Sequence, residues 1–293
     1  VSPCPLCGGP TDPAFAVTDR NRAITQRRFR YRRCRHCQSY FLADVPADLG
    51  RYYPDEYYEL PDADELDGLA AGEWPKLELL APAGAHGRLV EIGAGFGVFA
   101  RAARQAGYEV TAIEMDRRCC DYLESVVGVE AIQSDRPEQA LAGLPPSRAI
   151  ALWHALEHLP DPWAVLAAAA ANLEPEGVLA IAMPNPQAVQ FRLLRGRWAH
   201  VDAPRHLYLI PAAELTRRAA AAGLDRLELT TSDLAGRHWN RFGWEYALRR
   251  FPARRPGSRR LVIASQVVER ALRPLESRGL AGTAYSAVFR KRE

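Results

Sequence analysis

The chain has 293 residues, 48% hydrophobic and 25% charged, which excludes a disordered, collagenous or coiled-coil protein and leaves one large domain or two modest ones. No tract reaches the roughly 20 apolar residues of a membrane span, and the opening Val-Ser-Pro-Cys lacks the charged and apolar regions of a secretory signal, so the expected address is cytoplasmic. The 38 basic against 35 acidic residues leave +3, too little to mark a polyanion partner. Lysine occurs only as Lys76 and Lys291, so arginine clusters are weighed against a general arginine bias.

Four of the six cysteines fall as Cys4-x-x-Cys7 and Cys34-x-x-Cys37. Each Cys-x-x-Cys turn sets two thiolates on one side of a tight loop, and two such turns supply the tetrahedral sulfur set that Zn²⁺ favours. The residues between them suffice for a hairpin through 14–17 and 29–32, which predicts a zinc ribbon over residues 1–45. A reducing compartment disfavours two disulfides instead, and a redox Cys-x-x-Cys needs no matching partner. With four thiolates no coordination position stays open, so the metal is expected to be structural, holding a unit too small to bury a core of its own. His36 is an alternative fourth ligand.

Arg20, Arg22, Arg27, Arg28, Arg30, Arg32, Arg33 and Arg35 crowd this ribbon. They suit either RNA phosphates or the solvated face of a hairpin. Residues 46–80 read as a tyrosine-rich linker and leading helix, with Tyr52, Tyr53, Tyr57 and Tyr58 either walling a pocket or packing the linker down.

Beyond the linker, strands are predicted at 88–92, 109–113, 129–133, 149–153, 177–182, 225–231 and 283–289, with helices at 97–106, 117–126, 162–173 and 212–222. The alternation predicts a parallel sheet covered on both faces, its last two strands pairing antiparallel at the edge. Cys119 and Cys120 fall in a helix as ordinary small residues. A helical insertion at about 235–280 carries Arg249, Arg250, Arg254, Arg255, Arg259 and Arg260 before the amphipathic stretch 261–272. That pattern suits a peripheral contact with anionic lipid, a phosphorylated acceptor or plain solvation.

The apolar strand at 89–92 runs into Gly93-Ala-Gly95-Phe-Gly97 and then a helix. Glycines allow close backbone approach and the helix start offers free N–H groups, so a nucleoside-like cofactor is implied. The spacing is Gly-x-Gly-x-Gly, distinct from the dinucleotide pattern, with Glu91 two residues upstream. Glu114 ends the next strand, where a carboxylate accepts hydrogen bonds from ribose hydroxyls, and Asp135 ends the third.

Further along come Trp-His-Ala-Leu-Glu-His-Leu-Pro-Asp-Pro at 153–162, Met-Pro-Asn-Pro at 183–186 and Asp-Ala-Pro-Arg-His-Leu-Tyr at 202–208. With the Cys-Pro-Leu-Cys-Gly knuckle and the glycine loop in this order, the chain resembles, over nearly its whole length, the class I S-adenosylmethionine-dependent methyltransferases, and more narrowly those with an N-terminal zinc ribbon. The resemblance implies an α/β fold with a Rossmann-like seven-stranded sheet, order 3-2-1-4-5-7-6, over residues 81–293. It implies that Glu91, Gly93, Gly95 and Gly97 hold the methionyl part of S-adenosylmethionine, Glu114 the ribose, and Asp135 and its neighbours the adenine, with Met115 also among the cofactor-binding residues. Trp153 and His154 would face the opposite side, with the insertion near the substrate entrance.

His154-Ala-Leu-Glu157-His158 also spells an inverted zinc-peptidase signature, but it follows a strand and is cut by Pro160 and Pro162, so it is set aside. Methyl transfer is an in-line displacement, which leaves the protein to align the acceptor and remove its proton. His158, just past the fourth strand, and His200 and His206, in a proline-broken loop after the fifth, are the candidate bases; each alternatively braces its loop. Asn185 orients the acceptor or caps a turn. The expected activity is methyl transfer to a small-molecule or sugar acceptor, at oxygen. RNA methylation through the arginine-rich ribbon is one alternative, although no Asn/Asp-Pro-Pro-Tyr/Phe motif follows the fourth strand. A non-catalytic binding module is the other, and the intact glycine loop with Glu114 argues against it.

Overall fold

Phe29 and Tyr31 alternate with Arg28, Arg30 and Arg32, a period of two that buries one face of a strand and wets the other. In the computed structural model, which describes residues 2–84, 86–248 and 259–292, this strand is β2 (Arg28–Cys34). It pairs antiparallel with β1 (Thr11–Thr18), and β3 (Tyr40–Leu42) adds to its other edge. The linker that follows forms helices α1 (Ala63–Ala70) and α2 (Trp74–Leu79); the Asp62 carboxylate caps α1 by accepting from the Glu65 N–H.

The alternating part then runs β4 (Gly87–Ile92), α3 (Val98–Gln105), β5 (Tyr108–Glu114), α4 (Arg117–Tyr122), β6 (Glu130–Gln133), α5 (Pro137–Ala142), β7 (Ser147–Trp153), α6 (Pro162–Asn172) and β8 (Leu173–Pro184). After it come α7 (Val189–Leu194), β9 (Tyr208–Leu209), α8 (Ala212–Ala221), β10 (Leu224–Thr230), α9 (Leu234–Leu248), α10 (Arg259–Glu276) and β11 (Ala284–Lys291). The large sheet has the order β10-β11-β8-β7-β4-β5-β6, with β11 antiparallel to both neighbours and the others parallel. Counted within this sheet the order is 3-2-1-4-5-7-6, the Rossmann-like methyltransferase arrangement expected.

Its central strands are apolar on both faces because both are covered. Leu89, Ala151 and Ala180 pack on Phe99, Ala100 and Ala103 of α3, while Val90, Leu152 and Ile181 pack on Leu141, Val165 and Leu166 of α5 and α6. Asp161 ends the run before α6 by accepting from the Ala164 N–H, with Pro162 preset for the first turn.

The structure departs from the sequence expectation in three places. The helix predicted at 117–126 stays α-helical only to Tyr122 and continues as a π-turn over Leu123–Val127. Leu123 there packs where a Gly97 side chain would lie, its Cδ2 2.5 Å from an ideal Cβ. β8 begins at Leu173, so α6 passes directly into a 12-residue strand. Finally, β3 pairs with β9, which follows β8 in the chain, giving a four-stranded sheet β1-β2-β3-β9. Phe29, Tyr31 and Phe41 accordingly share one buried cluster with Phe191, Trp198 and Leu209. Residues too few to bury a core alone thus use the neighbouring one. Arg249, Arg250, Arg254 and Arg255 lie outside the described residues; among those described, no helix is long and apolar enough to cross a membrane.

Candidate active site

A cavity of about 1170 Å³ opens at the carboxyl ends of β4 and β7, the place where ligands bind in open α/β sheets. Its floor is the glycine loop. Gly93 takes φ +73°, and a Cβ there would lie 2.7 Å from that of Ala155, so only glycine fits. Above Gly95 sits Tyr58, whose ring carbon would be 3.2 Å from a Cβ. The Glu114 carboxylate is buried and points into this loop, accepting from the N–H groups of Gly95 (2.8 Å), Met115 (2.8 Å) and Asp116 (3.0 Å). Burial pushes Glu114 above the usual carboxylate range, against the pull of these three donors. Glu91 is also buried, its Oε2 has no hydrogen-bond partner, and burial raises it to about 8. The Trp153 indole stands edge-on to Phe99 at 5.1 Å, with its Nε1 buried and unpartnered.

Five histidines line the cavity: His154, His158, His200, His206 and, beside Trp239, His238. His154 adopts φ +56° and turns its ring edge-on to Trp239 of α9. His158 shares a 2.9 Å hydrogen bond with the Tyr53 hydroxyl through Nδ1, and its ring lies 4.6 Å from His206, nearly perpendicular to it. His206 Nδ1 meets the His200 carbonyl at 2.8 Å. A carbonyl only accepts, so Nδ1 carries the proton and Nε2 of neutral His206 carries the lone pair. That Nε2 lies 4.0 Å from Glu157 Oε1. Glu157 is wholly buried and neither carboxylate oxygen has a hydrogen-bond partner. Burial pushes Glu157 up while His206 and His158 pull it back. The same burial pushes His158 down to about 4, His154 and His200 to about 3, and His206 below its ordinary value, so these rings are neutral at pH 7.

One oxygen of Glu157 and one ring nitrogen each of His158 and His206 lie within 4.8 Å of one another. Two imidazoles and a carboxylate are donors that suit a first-row divalent ion. Glu157 lay in the histidine motif set aside as a peptidase signature. As expected of a segment following a strand, Leu156–His158 forms a single 3₁₀ turn that cannot project two histidines from one helical face.

The loop bearing His200 and His206 is held from the N-terminal sheet. The buried Tyr31 hydroxyl donates to the carbonyls of His206 (2.6 Å) and Val201 (3.1 Å), and the Asn21 amide donates to Ala199 O. Asn185 is buried and caps its own turn: Nδ2 donates to Leu280 O and Gly282 O, and Oδ1 accepts from Gln187 N. Met115 and Asp135 are exposed and do not line the cavity, and the buried Glu114 and Gly97 lie behind its lining; Glu114 reaches it through the Gly95 amide. Tyr57 and Tyr58 line the cavity, whereas Tyr52 is buried edge-on against Phe29. Cys119 and Cys120 are buried near Glu114.

The other four cysteines converge. Sγ of Cys4 is 3.7 Å from that of Cys37, Sγ of Cys7 is 3.5 Å from that of Cys34, and all four lie within 4.8 Å of one another. Tetrahedral Zn–S bonds of about 2.3 Å require edges of about 3.8 Å, whereas a disulfide requires about 2.05 Å. Gly9 allows the approach, because a Cβ there would press on Cys34 and Cys7 sulfurs at 3.2 and 3.3 Å. His36 is exposed and contributes its backbone N–H to Cys34 Sγ at 3.3 Å. The ribbon's arginines are largely engaged at home: Arg30 with Asp44, Arg35 with Asp12, and Arg32 with Thr11.

Residues 70–229, more than half of the chain, match the family described as "Methyltransferase domain", and the chain belongs to that family. It is a class I S-adenosylmethionine-dependent methyltransferase. Among curated proteins it is similar to the ubiquinone biosynthesis O-methyltransferases of Aeromonas salmonicida (28% identical over 163 residues, 52% of this chain and 66% of that protein) and Bordetella avium (29% over 172 residues, 55% and 69%). The chain thus spans about two thirds of these relatives' length. Its fold is similar to the crystal structure of a SAM-dependent methyltransferase from Archaeoglobus fulgidus, with TM-score 0.50, 16% identity and coverage of 77% of this chain and 94% of that one.

Proposed function

We propose that this methyltransferase moves a methyl group from S-adenosylmethionine to a hydroxyl of a small-molecule acceptor, with His206 as general base. The observation that carries this reading is the buried set Glu157, His158 and His206, beside the cavity whose floor is the glycine loop. Glu114 receives the ribose hydroxyls, Glu91, Gly93, Gly95 and Gly97 the methionyl part, and Trp153 and His154 the far side of the cofactor. The acceptor enters between the aromatic walls of Tyr57, Trp239 and Phe242, which favour a ring-shaped molecule, either a phenol or a sugar. The relatives' names, O-methyltransferases, support an oxygen acceptor.

His206 Nε2 takes the acceptor proton while the oxygen attacks the methyl carbon and the sulfonium leaves as a neutral thioether. The imidazolium formed is stabilised by the Glu157 carboxylate, and the His200 carbonyl keeps the ring in the required tautomer. Tyr53 fixes His158 beside it. A second reading rests on the unpartnered Glu157 oxygens: a divalent ion held by Glu157, His158 and His206 would acidify a bound hydroxyl. The four N-terminal cysteines hold a structural Zn²⁺.

The test is to offer labelled S-adenosylmethionine with a panel of phenols, catechols and sugars, before and after chelation of loosely bound metal. Label in an ether product supports the reading. Retained activity after chelation favours the histidine base, and activity restored by a divalent ion favours the metal. Label only in RNA would overturn the acceptor class.

A further inference from the structure

A second pocket, of about 540 Å³, opens between β1 and the turn Arg195–Arg197 that follows α7. Phe15 and Val17 of the strand, with Leu194, form its apolar part. Four arginines line it, Arg20, Arg28, Arg195 and Arg197, and no carboxylate among the described residues does. Gly196 lets the turn lie close on β1, since a Cβ there would meet the Phe15 ring at 3.4 Å, and so brings Arg195 and Arg197 to the strand. Arg195 donates to the Tyr40 hydroxyl at 3.4 Å, whereas Arg28 and Arg197 are exposed and make no ion pair among the described residues. Asp19, next to Arg20 in the chain, is already bound by Arg205.

The cavity of the candidate active site has the opposite character: Glu56, Glu59, Glu73, Glu91 and Asp202 line it against Arg22 and Lys76. Yet the same two segments of chain wall both spaces. Arg20 lines the pocket and Asn21 the cavity; Arg197 lines the pocket and Ala199 the cavity. Asn21 Nδ2 joins the two segments by donating to Ala199 O at 2.8 Å. Two residues along the chain span at most about 7.6 Å, a distance that one ring and a phosphoryl group bridge.

We propose that the arginine pocket holds a phosphoryl group carried by the acceptor, whose ring enters the cavity for methylation. Each guanidinium offers paired N–H donors that match phosphate oxygens. The carboxylates of the cavity repel the same group, so the two adjoining charge patterns orient a phosphorylated acceptor with its ring inward and its anion outward. The inference rests on the small-molecule acceptor proposed above and narrows it to phosphate esters.

The test is calorimetric titration of the full zinc-loaded chain with inorganic pyrophosphate and with phenyl phosphate, at low ionic strength. Arg28→Met combined with Arg197→Met is expected to weaken both by roughly tenfold or more and to leave S-adenosylhomocysteine within about twofold, which shows that the variant is folded. Trp239→Ala, on the cavity side, is expected to weaken phenyl phosphate by roughly fivefold and to leave pyrophosphate within about twofold. No binding of pyrophosphate, or unchanged affinity in the arginine variant, overturns the site. Phenyl phosphate that binds Trp239→Ala as tightly as the unsubstituted chain places a free phosphate in the pocket and overturns the link to the acceptor. In the acceptor panel, equal KM for a phenol or sugar and for its phosphate ester overturns this inference and leaves hydroxyl methylation standing, whereas label only in RNA overturns both.

Discussion

Arg205 and Asp19 stand 186 residues apart in the chain, yet Nη2 of the first donates to Oδ1 of the second at 2.7 Å, with both side chains wholly buried. The same guanidinium holds Asp202 through Nε and Nη2, at 2.9 and 2.6 Å, and donates to Tyr52 O. Burial pushes Asp202 up, but Arg205 outweighs it and holds the carboxyl at about 2. One cation thus ties the N-terminal hairpin, the tyrosine linker and the histidine loop together.

Removing one partner of a buried ion network leaves an uncompensated charge. Asp19→Ala is expected to lower stability by about 3 kcal/mol, the lower end of the usual range because Asp202 remains. In thermal unfolding this appears as a fall of roughly 2–4 °C per kcal/mol. Unchanged unfolding would show that Asp202 alone balances Arg205.

The ribbon braces the loop through Tyr31, so a zinc ion held by its four cysteines, as proposed, would matter to the distant site. Stripping zinc with a chelator is expected to lower the unfolding temperature and to cut turnover, and readdition should restore both. Tyr31→Phe, which keeps the ring but removes the two hydrogen bonds, is expected to cut turnover while preserving the zinc content measured by elemental analysis.

His154, His158 and His200 bind protons at about 3, 4 and 3 when folded but near 6.5 when unfolded. Between pH 6.5 and 4 the unfolded chain therefore holds more protons, and stability falls as the pH drops through that window, by up to about 1.4 kcal/mol per pH unit for each group. Unfolding midpoints measured across this range should fall, and His158→Asn should flatten the decline.

If His206 is the base, as proposed, its loss should be felt in turnover alone. His206→Asn is expected to reduce kcat by about 10²–10⁴ with S-adenosylhomocysteine affinity unchanged. By contrast, Glu114→Ala should weaken that affinity by roughly a hundredfold, through loss of charge-assisted bonds to the ribose, which calorimetry would detect.

The strands, the glycine loop and Glu114 were legible because apolar runs and glycine turns are local patterns, whereas the sheet order came from the resemblance, since local patterns do not fix which strands become neighbours. The four cysteines were legible from spacing alone. The pairing of β3 with β9 was not, since two-residue Tyr208–Leu209 carries no strand signal of its own and becomes a strand only against Phe41 and Tyr40. Asp19 had no signal either; its role depends on an arginine that only folding brings near. Glu157 stood in view within a motif read for a different chemistry. Asp135 marks the converse: a strand-end carboxylate in the expected place that remains exposed outside the cavity.

The most direct test of the account is calorimetric titration of the chain with S-adenosylhomocysteine, with zinc content determined on the same sample. The expected result is one cofactor molecule bound with micromolar affinity and one zinc ion per chain. Folded, zinc-loaded protein that binds no S-adenosylhomocysteine would contradict it.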